Sequence, residues 1–538
     1  MLNFGDILET IESRIDPNHP ACIHGGTVMS WSDFALASNN LARQFLDRGF
    51  APDEKIAIYL RNGPEYVIAL AAAFKARLVP VNVNYRYASG ELVYLLDNSD
   101  ARIVCYDTEF RERVEYIRDR LPGVALWLEV CDVDLPPFAE RFSALAAAGD
   151  GQPVTIERSP DDLFFIYTGG TTGMPKGVMW PHGDLRELMV TAARAKGPIP
   201  EDLDQLATYI AAGNTGPRVL PAPPLMHGTG LLLAVSAMLW GGTVITVPGK
   251  SFDPAAMLRA IECERPSLLA IVGDSFGRPL LDELERETCR YDLSSIDTIT
   301  SSGVIWSVEV KRGLLRYMPD AVLNDALSSS EALGLGASVM TADGEVATAS
   351  FTIGPRCRVL AGDGSWVKTG SSGEGLLALG APNPLGYYKD ADKTAATLKT
   401  IDGVRYCIPG DFCRVDEDGM LLFLGRGNTC INTAGEKVFP EEIEEVLKRY
   451  QGVADALVVG VPDPKWGQAI VAVVEHRPGT HVDHDMLRDH VRAELAGYKV
   501  PKLVLRAIDP LRAVNGKADY ATARGHAIAF RKEHYSAE

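Results

Sequence analysis

Several absences narrow what this chain can be. Its nine cysteines, at 22, 105, 131, 263, 289, 357, 407, 413 and 430, are odd in number and form no C-x-x-C pair. A zinc module and a disulfide framework are therefore not expected, and reduced, mostly buried thiols are. No internal repeat, low-complexity tract or block of like charge interrupts the 538 residues, which excludes repeat architectures and long disordered tails. Positive charge is in deficit: 53 Lys and Arg stand against 71 Asp and Glu, for a net charge of −18. Nucleic acid and anionic membrane surfaces are thereby disfavoured as main partners. The opening MLNFGDILETIESRID is acidic and lacks the basic start and apolar centre of a signal peptide, so a cytoplasmic location is expected. A transmembrane span is not expected either. The uncharged stretch 228–249 is split by Gly241 and Gly242 into LLLAVSAMLW and TVITV, which read as a buried helix and a buried strand.

What is present suits a large globular protein: 46% hydrophobic and 23% charged residues, and enough length for several domains. Ile7, Leu8, Ile11 and Ile15 share one helical face. Short apolar runs then alternate with helical patterns: KIAIYL at 55–60, a Pro-opened helix at 64–76, and further strands at 79–83, 102–106, 268–272, 298–300 and 321–323. Such alternation predicts β-α-β units and parallel sheets covered by helices. After the turn signal at 416–419 the organisation changes. Strands at 456–461 and 469–474 and helices at 441–449 and 485–495 make a compact α+β unit of ordinary domain size. The expected fold is α/β: a large N-terminal domain of helix-covered sheets over 1–427 and a small, mobile α+β domain over 428–538.

The most informative stretch is FFIYTGGTTGMPKGVMW, residues 164–180. A β-prone apolar run stops at Thr168, and Gly169, Gly170, Thr171, Thr172, Gly173 and Lys176 follow closely. Glycines let a backbone turn its N–H groups toward an anion, threonines add hydroxyl donors, and the lysine adds charge. This predicts a phosphate-holding loop. It is not the P-loop of kinases and GTPases: Gly170 and Gly173 are too close, and Pro175 before Lys176 opposes a helix there.

The loop resembles the signature of the adenylate-forming enzymes, which include acyl-CoA synthetases, peptide-synthetase adenylation domains and luciferases, with Gly169 in place of a serine. Further motifs match in order across the whole chain. Within 324–331 (NDALSSSE) the resemblance implies that Asp325, Ala326, Leu327, Ser328, Ser329 and Ser330 hold the nucleotide and that Glu331 coordinates magnesium. Taken alone, SSSE reads as a helix N-cap with Glu in the first turn. Ser302 and Gly303 match a segment between nucleotide and acyl pocket, with Val304 and Asp274 as lining, and His227 stands at the gating position of that pocket. Asp411, in YCIPGD, would take the ribose hydroxyls, and Arg426 a second ribose or phosphate contact. Asn428 replaces the usual hinge aspartate and Asn432 a lysine; Gly435 and Glu436 would line the path of the CoA arm. Lys517, on PLRAVNGK, matches the catalytic lysine, acting with Thr168, His227 and Glu331.

The resemblance implies an acid–CoA ligase that uses ATP, Mg2+ and coenzyme A on a small-molecule carboxylic acid, and it leaves homodimer formation open. Residues 221–240 hold no aspartate to meet an α-amine, so a hydrophobic acid is expected rather than an amino acid. YTGGTTG and INTAGEKVFPEE are most similar to actinobacterial fatty-acyl and steroid side-chain CoA ligases. Two alternatives stay open: an acyl-AMP ligase serving a carrier protein, and a non-catalytic nucleotide sensor.

Overall fold

The computed structural model describes residues 2–131, 134–168, 174–194, 197–286, 291–304, 306–344, 350–368, 370–426, 431–433, 436–463, 467–495, 497–512 and 518–535. Contacts divide the chain into two compact units: Met1–Thr348 with Gly380–Cys407, and Ala349–Leu379 with Ile408–Glu538.

The first unit contains two helix-covered arrays of strands. One runs in the order Gly386–Tyr387, Lys176–Pro181, Leu163–Thr168, Val79–Asn82, Lys55–Tyr59, Ala101–Asp107, Leu126–Val130, Ala139–Arg141. It is parallel except at its first two pairings. The other takes Pro20–His24, Thr243–Thr246, Arg218–Pro221, Leu268–Ile271, Thr298–Ser302 and Val322–Leu327 in parallel, with Thr27–Ser30 and Gly336–Met340 antiparallel at its ends. Near-continuous apolar strands such as KIAIY and LLAI are what a sheet covered on both faces requires. Helix Pro64–Lys75 is buried from Tyr66 to Lys75, as expected of a helix that is apolar nearly all round.

The expected elements appear with small shifts at their ends. One is longer for a physical reason: the strand expected at 321–323 runs Val322–Leu327. Its polar Asn324 and Asp325 are strand residues because their backbones pair with Thr300 and Ser301 of the neighbouring strand. Tertiary pairing here overrides the low β-propensity of Asn and Asp.

Helix Phe4–Glu12 docks through Phe4, Ile7, Leu8 and Ile11. Its docking is partly polar. Asn3 donates to the Ser159 carbonyl (2.7 Å) and to Asp162 (2.9 Å), and the Phe4 ring stacks on buried His182 at 4.3 Å. The second unit pairs Ser350–Ile353, Met420–Arg426, Asp411–Val415, Gly373–Gly380 and Cys357–Leu360 antiparallel. It also holds a sheet built on the long pair Val453–Asp463 and Gly467–His476, with helices Pro440–Lys448, His484–Glu494 and Tyr520–Tyr535. Among the described residues no helix is long and apolar enough to cross a membrane.

Candidate active site

The signature stretch forms a hairpin. Leu163–Thr168 and Lys176–Pro181 are antiparallel, with Thr168 opposite Lys176, so a strand, not a helix, follows the loop. Gly169, Gly170, Thr171, Thr172 and Gly173 lie outside the described residues. Lys176 at the mouth forms an ion pair with Asp390, and this cation holds the aspartate below its usual range. Asp390 also caps helix Ala391–Thr397 by accepting from Lys393 N at 2.9 Å. Both partners are partly exposed, and such a pair contributes only about 0–1 kcal/mol. A phosphate could take the lysine at little cost. Asp390 had no sequence signal, since GYYKDAD reads as an ordinary turn.

Asn82, at the end of strand Val79–Asn82, fastens the hairpin to the His227 turn. Its side-chain carbonyl accepts from Tyr167 N (2.7 Å), while its amide donates to the Tyr167 carbonyl (3.0 Å) and to the Met226 carbonyl (2.6 Å). It is buried, so these backbone groups have no water to turn to. His227 follows at once, in extended conformation at the N-cap of helix Gly228–Met238.

The second wall is made by the carboxyl ends of three parallel strands, where ligands of open α/β sheets collect. Ile271, Ser301 and Asp325 are in register, and Ser302 is opposite Ala326. Ser301 Oγ accepts from Gly273 N at 2.9 Å, and Asp274 accepts from Ser307 N at 3.0 Å. Gly303 has φ of +94°, a left-handed turn that glycine takes without strain, and Val304 packs against the adjoining core. Asp325 is buried 2.8 Å from Lys311. Burial pushes its pKa up to about 6 while the Lys311 charge pulls it down. Its carboxylate therefore serves Lys311.

Beyond Leu327 no helix forms, so the N-cap reading of SSSE is corrected: 328–335 is a connection to strand Gly336–Met340. The loop is held by others. Trp180 Nε1 donates to the Ser330 carbonyl (2.8 Å), and Gly334 N donates to Ser328 Oγ (3.2 Å). Ser329 N bonds the Ala332 carbonyl at 2.9 Å. Tyr387 Oη donates to Glu331 Oε1 at 2.6 Å, and burial together with the Glu331 charge keeps that phenol protonated. A Cβ on Gly228 would stand 3.8 Å from Ser330 Oγ, so the His227 helix begins beside this loop. One unit thus brings together Thr168, Lys176, His227, Ser330 and Glu331. Tyr387, Asn82, Trp180 and Asp390 are the residues that sequence reasoning missed.

In the second unit Asp411 is buried and in register with Arg426. The side chains of Arg426 and Glu436, and all of Asn428, Gly435 and Lys517, lie outside what is described. On either side of 513–517, Arg512 bridges Ala518 and binds Asp455 at 2.6 Å. Tyr520 Oη donates to Glu444 at 3.1 Å.

Comparison with known proteins gives consistent results. Residues 12–388 match the family model described as AMP-binding enzyme, and 442–515 match that of the AMP-binding enzyme C-terminal domain. The chain is 40% identical to a medium/long-chain-fatty-acid–CoA/3-oxocholest-4-en-26-oate–CoA ligase of Mycolicibacterium smegmatis, covering 97% of this chain and 96% of that one. A 3-oxocholest-4-en-26-oate–CoA ligase of Rhodococcus rhodochrous is 36% identical, over 96% and 95%. Two solved structures share the fold. ATP-bound MatB from Rhodopseudomonas palustris has TM-score 0.79 and 23% identity, over 98% and 99% of the two chains. The anthranilate CoA ligase AuaEII with anthranoyl-AMP has TM-score 0.83 and 19% identity, over 98% of each.

Proposed function

The chain belongs to the AMP-binding enzyme family, and from that premise we propose that it is an AMP-forming acid–CoA ligase acting on a hydrophobic carboxylic acid of the fatty-acid or steroid side-chain kind. The observation that carries this reading is the joining of the Thr168–Lys176 hairpin mouth, the Ser330–Glu331 loop and the His227 turn by Asn82, Trp180 and Tyr387. Together they offer phosphate donors, a carboxylate and an apolar helix at one place. The full-length similarity to fatty-acid and steroid-acid CoA ligases supports the substrate class.

In the first step the acid's carboxylate attacks the α-phosphorus of ATP, forming acyl-AMP and releasing pyrophosphate. In the second, the CoA thiolate attacks the acyl carbon, and AMP leaves as the thioester forms. The chain's part is positioning and charge stabilisation. Lys176 and Thr168 hold phosphate oxygens, His227 stands where nucleotide and acyl ends meet, and Asp411 takes the ribose hydroxyls. Lys517 meets the charge that develops in the first step.

Magnesium fits the donors present. Glu331 offers an oxygen ligand, and with Oε1 held by Tyr387, Oε2 has no hydrogen bond among the described residues. Mg2+ commonly takes one or two carboxylates, substrate phosphates and water, not a full protein cage. That agrees with the lack of any cluster of three His, Cys, Asp or Glu among the described residues. When bound, it would neutralise triphosphate charge. We place the enzyme in the cytoplasm, where ATP and CoA are available.

The test is a panel of carboxylic acids assayed for AMP and pyrophosphate with and without CoA. Long hydrophobic acids should give CoA-dependent thioester. Acetate or an amino acid as best substrate by kcat/KM would overturn the substrate class. Thioester on a holo-carrier protein alone would make the product an acyl-carrier, and ATP binding without AMP would leave only a nucleotide sensor.

A further inference from the structure

The second unit buries a cluster of charge. Glu444, on helix Pro440–Lys448, is buried with both carboxylate oxygens engaged. Its Oε1 accepts from Val458 N at 2.8 Å, and its Oε2 accepts from Tyr520 Oη at 3.1 Å. Asp455, on strand Val453–Asp463, accepts two bonds from Arg512, from Nε at 2.6 Å and from Nη2 at 3.2 Å. Lys448 stands 3.8 Å from Asp455. Burial raises the Glu444 pKa, against the opposing charges of Lys448 and Arg512. Buried ion pairs of this kind are poor devices for stability, since well-packed apolar side chains of the same volume often serve as well.

The place of the cluster in the chain gives it another use. Arg512 and Tyr520 come from the two ends of one loop. At the base of that loop Asp519 N donates to the Leu511 carbonyl at 2.9 Å, and Arg512 bridges Ala518. Leu511 is buried in a core against which Ala518 and Tyr520 pack. Asp519 accepts from Thr522 N at 3.0 Å at the start of the last helix. One side chain from each end of the loop is thus plugged into the same buried cluster. The five residues between Arg512 and Ala518 include Lys517.

Resting on the acid–CoA ligase reading, in which Lys517 meets the charge of the first step, we propose that Glu444, Asp455, Arg512 and Tyr520 are positioning residues for acyl-AMP formation. The buried cluster fixes both ends of the loop and thereby where Lys517 stands. The four act through the lysine, not on the substrate. Charge-assisted hydrogen bonds are short and directional, so they set the course of the chain where an apolar plug would leave it open. That direction matters, because a displacement of about 1 Å in a reacting group can cost ~10²-fold in rate.

The experiment uses Tyr520→Phe, which deletes one oxygen and keeps the ring, and Glu444→Gln, which keeps the shape and removes the charge. Acyl-AMP formation from ATP and acid is followed in single turnovers, and thioester formation from supplied acyl-AMP and CoA is followed separately. The first half should fall by about tenfold or more, in kcat with little change in the KM for ATP, while the second stays near normal. In the Lys517→Ala background Tyr520→Phe should cost nothing further, since the lysine through which it acts is gone. Full additivity of the two changes overturns the proposal. Equal loss in both halves overturns it too, as does no loss in either, which packing alone would give. Should Glu444→Gln fail to fold, Tyr520→Phe decides by itself. Absence of AMP formation by the native chain would instead sink the ligase reading.

Discussion

Glu331 accepts the Tyr387 hydroxyl on one carboxylate oxygen, which fixes the direction of the other. Outer partners of this kind typically change metal affinity 10–100-fold when removed. Tyr387→Phe keeps the ring on its edge strand and deletes the bond. The Mg2+ concentration giving half-maximal AMP formation should rise by about tenfold or more, with activity recovering at saturating Mg2+. An unchanged Mg2+ titration would reduce Tyr387 to packing. Glu331 was legible in the sequence through its motif, whereas its partner was not. Tyr387 lies 56 residues further on in a strand of two residues, a distance no local pattern spans. Asn82 was hidden differently. An Asn at the end of VPVN reads as a strand stop, and its three bonds exist only once Tyr167 and Met226 have folded beside it.

At the scale of elements, pattern sufficed wherever burial followed period. The strand at 55–59 and the helix at 64–75 stand where alternation and Pro64 put them. Pattern failed at SSSE, since a cap-like tetrapeptide makes a helix only if the next turn has a face to bury. Docking of the first helix was half legible: its apolar face was clear, its polar anchor was not. That anchor makes a pH test possible. Burial lowers the His182 pKa to about 3, while the unfolded imidazole titrates near 6.5. Between those values the unfolded chain holds the extra proton, so stability falls as pH drops below about 6.5, by up to about 1.4 kcal/mol per unit. His182→Phe keeps a ring against Phe4 and removes the titration. Between pH 6.5 and 5 the native chain should lose about 2 kcal/mol more than the variant, read from urea midpoints. Parallel pH profiles would show that His182 is not the responsible group.

On the proposed ligase reading the two reactions divide between parts of the chain, and Lys517 gives the means to separate them. A pentavalent, negatively charged α-phosphorus forms only in the first reaction. Loss of one preorganised donor typically costs about 10²–10³ in rate. Lys517→Ala should therefore cut acyl-AMP formation by that factor, while thioester formation from supplied acyl-AMP and CoA stays near normal in single-turnover assays. Comparable losses in both halves would remove Lys517 from its assigned role. Helix Gly228–Met238 is tied to the nucleotide side through its first turn, by Met226 to Asn82 and Gly228 beside Ser330. In its last two turns Ala234, Val235, Ala237 and Met238 are buried, and Leu232 and Leu233 pack against the same core. On the proposed ligase reading, substitutions there would leave the Asn82 and Ser330 contacts untouched, so a lineage of such enzymes could exchange one acid for another by altering a few side chains. The first turn is where that freedom should stop.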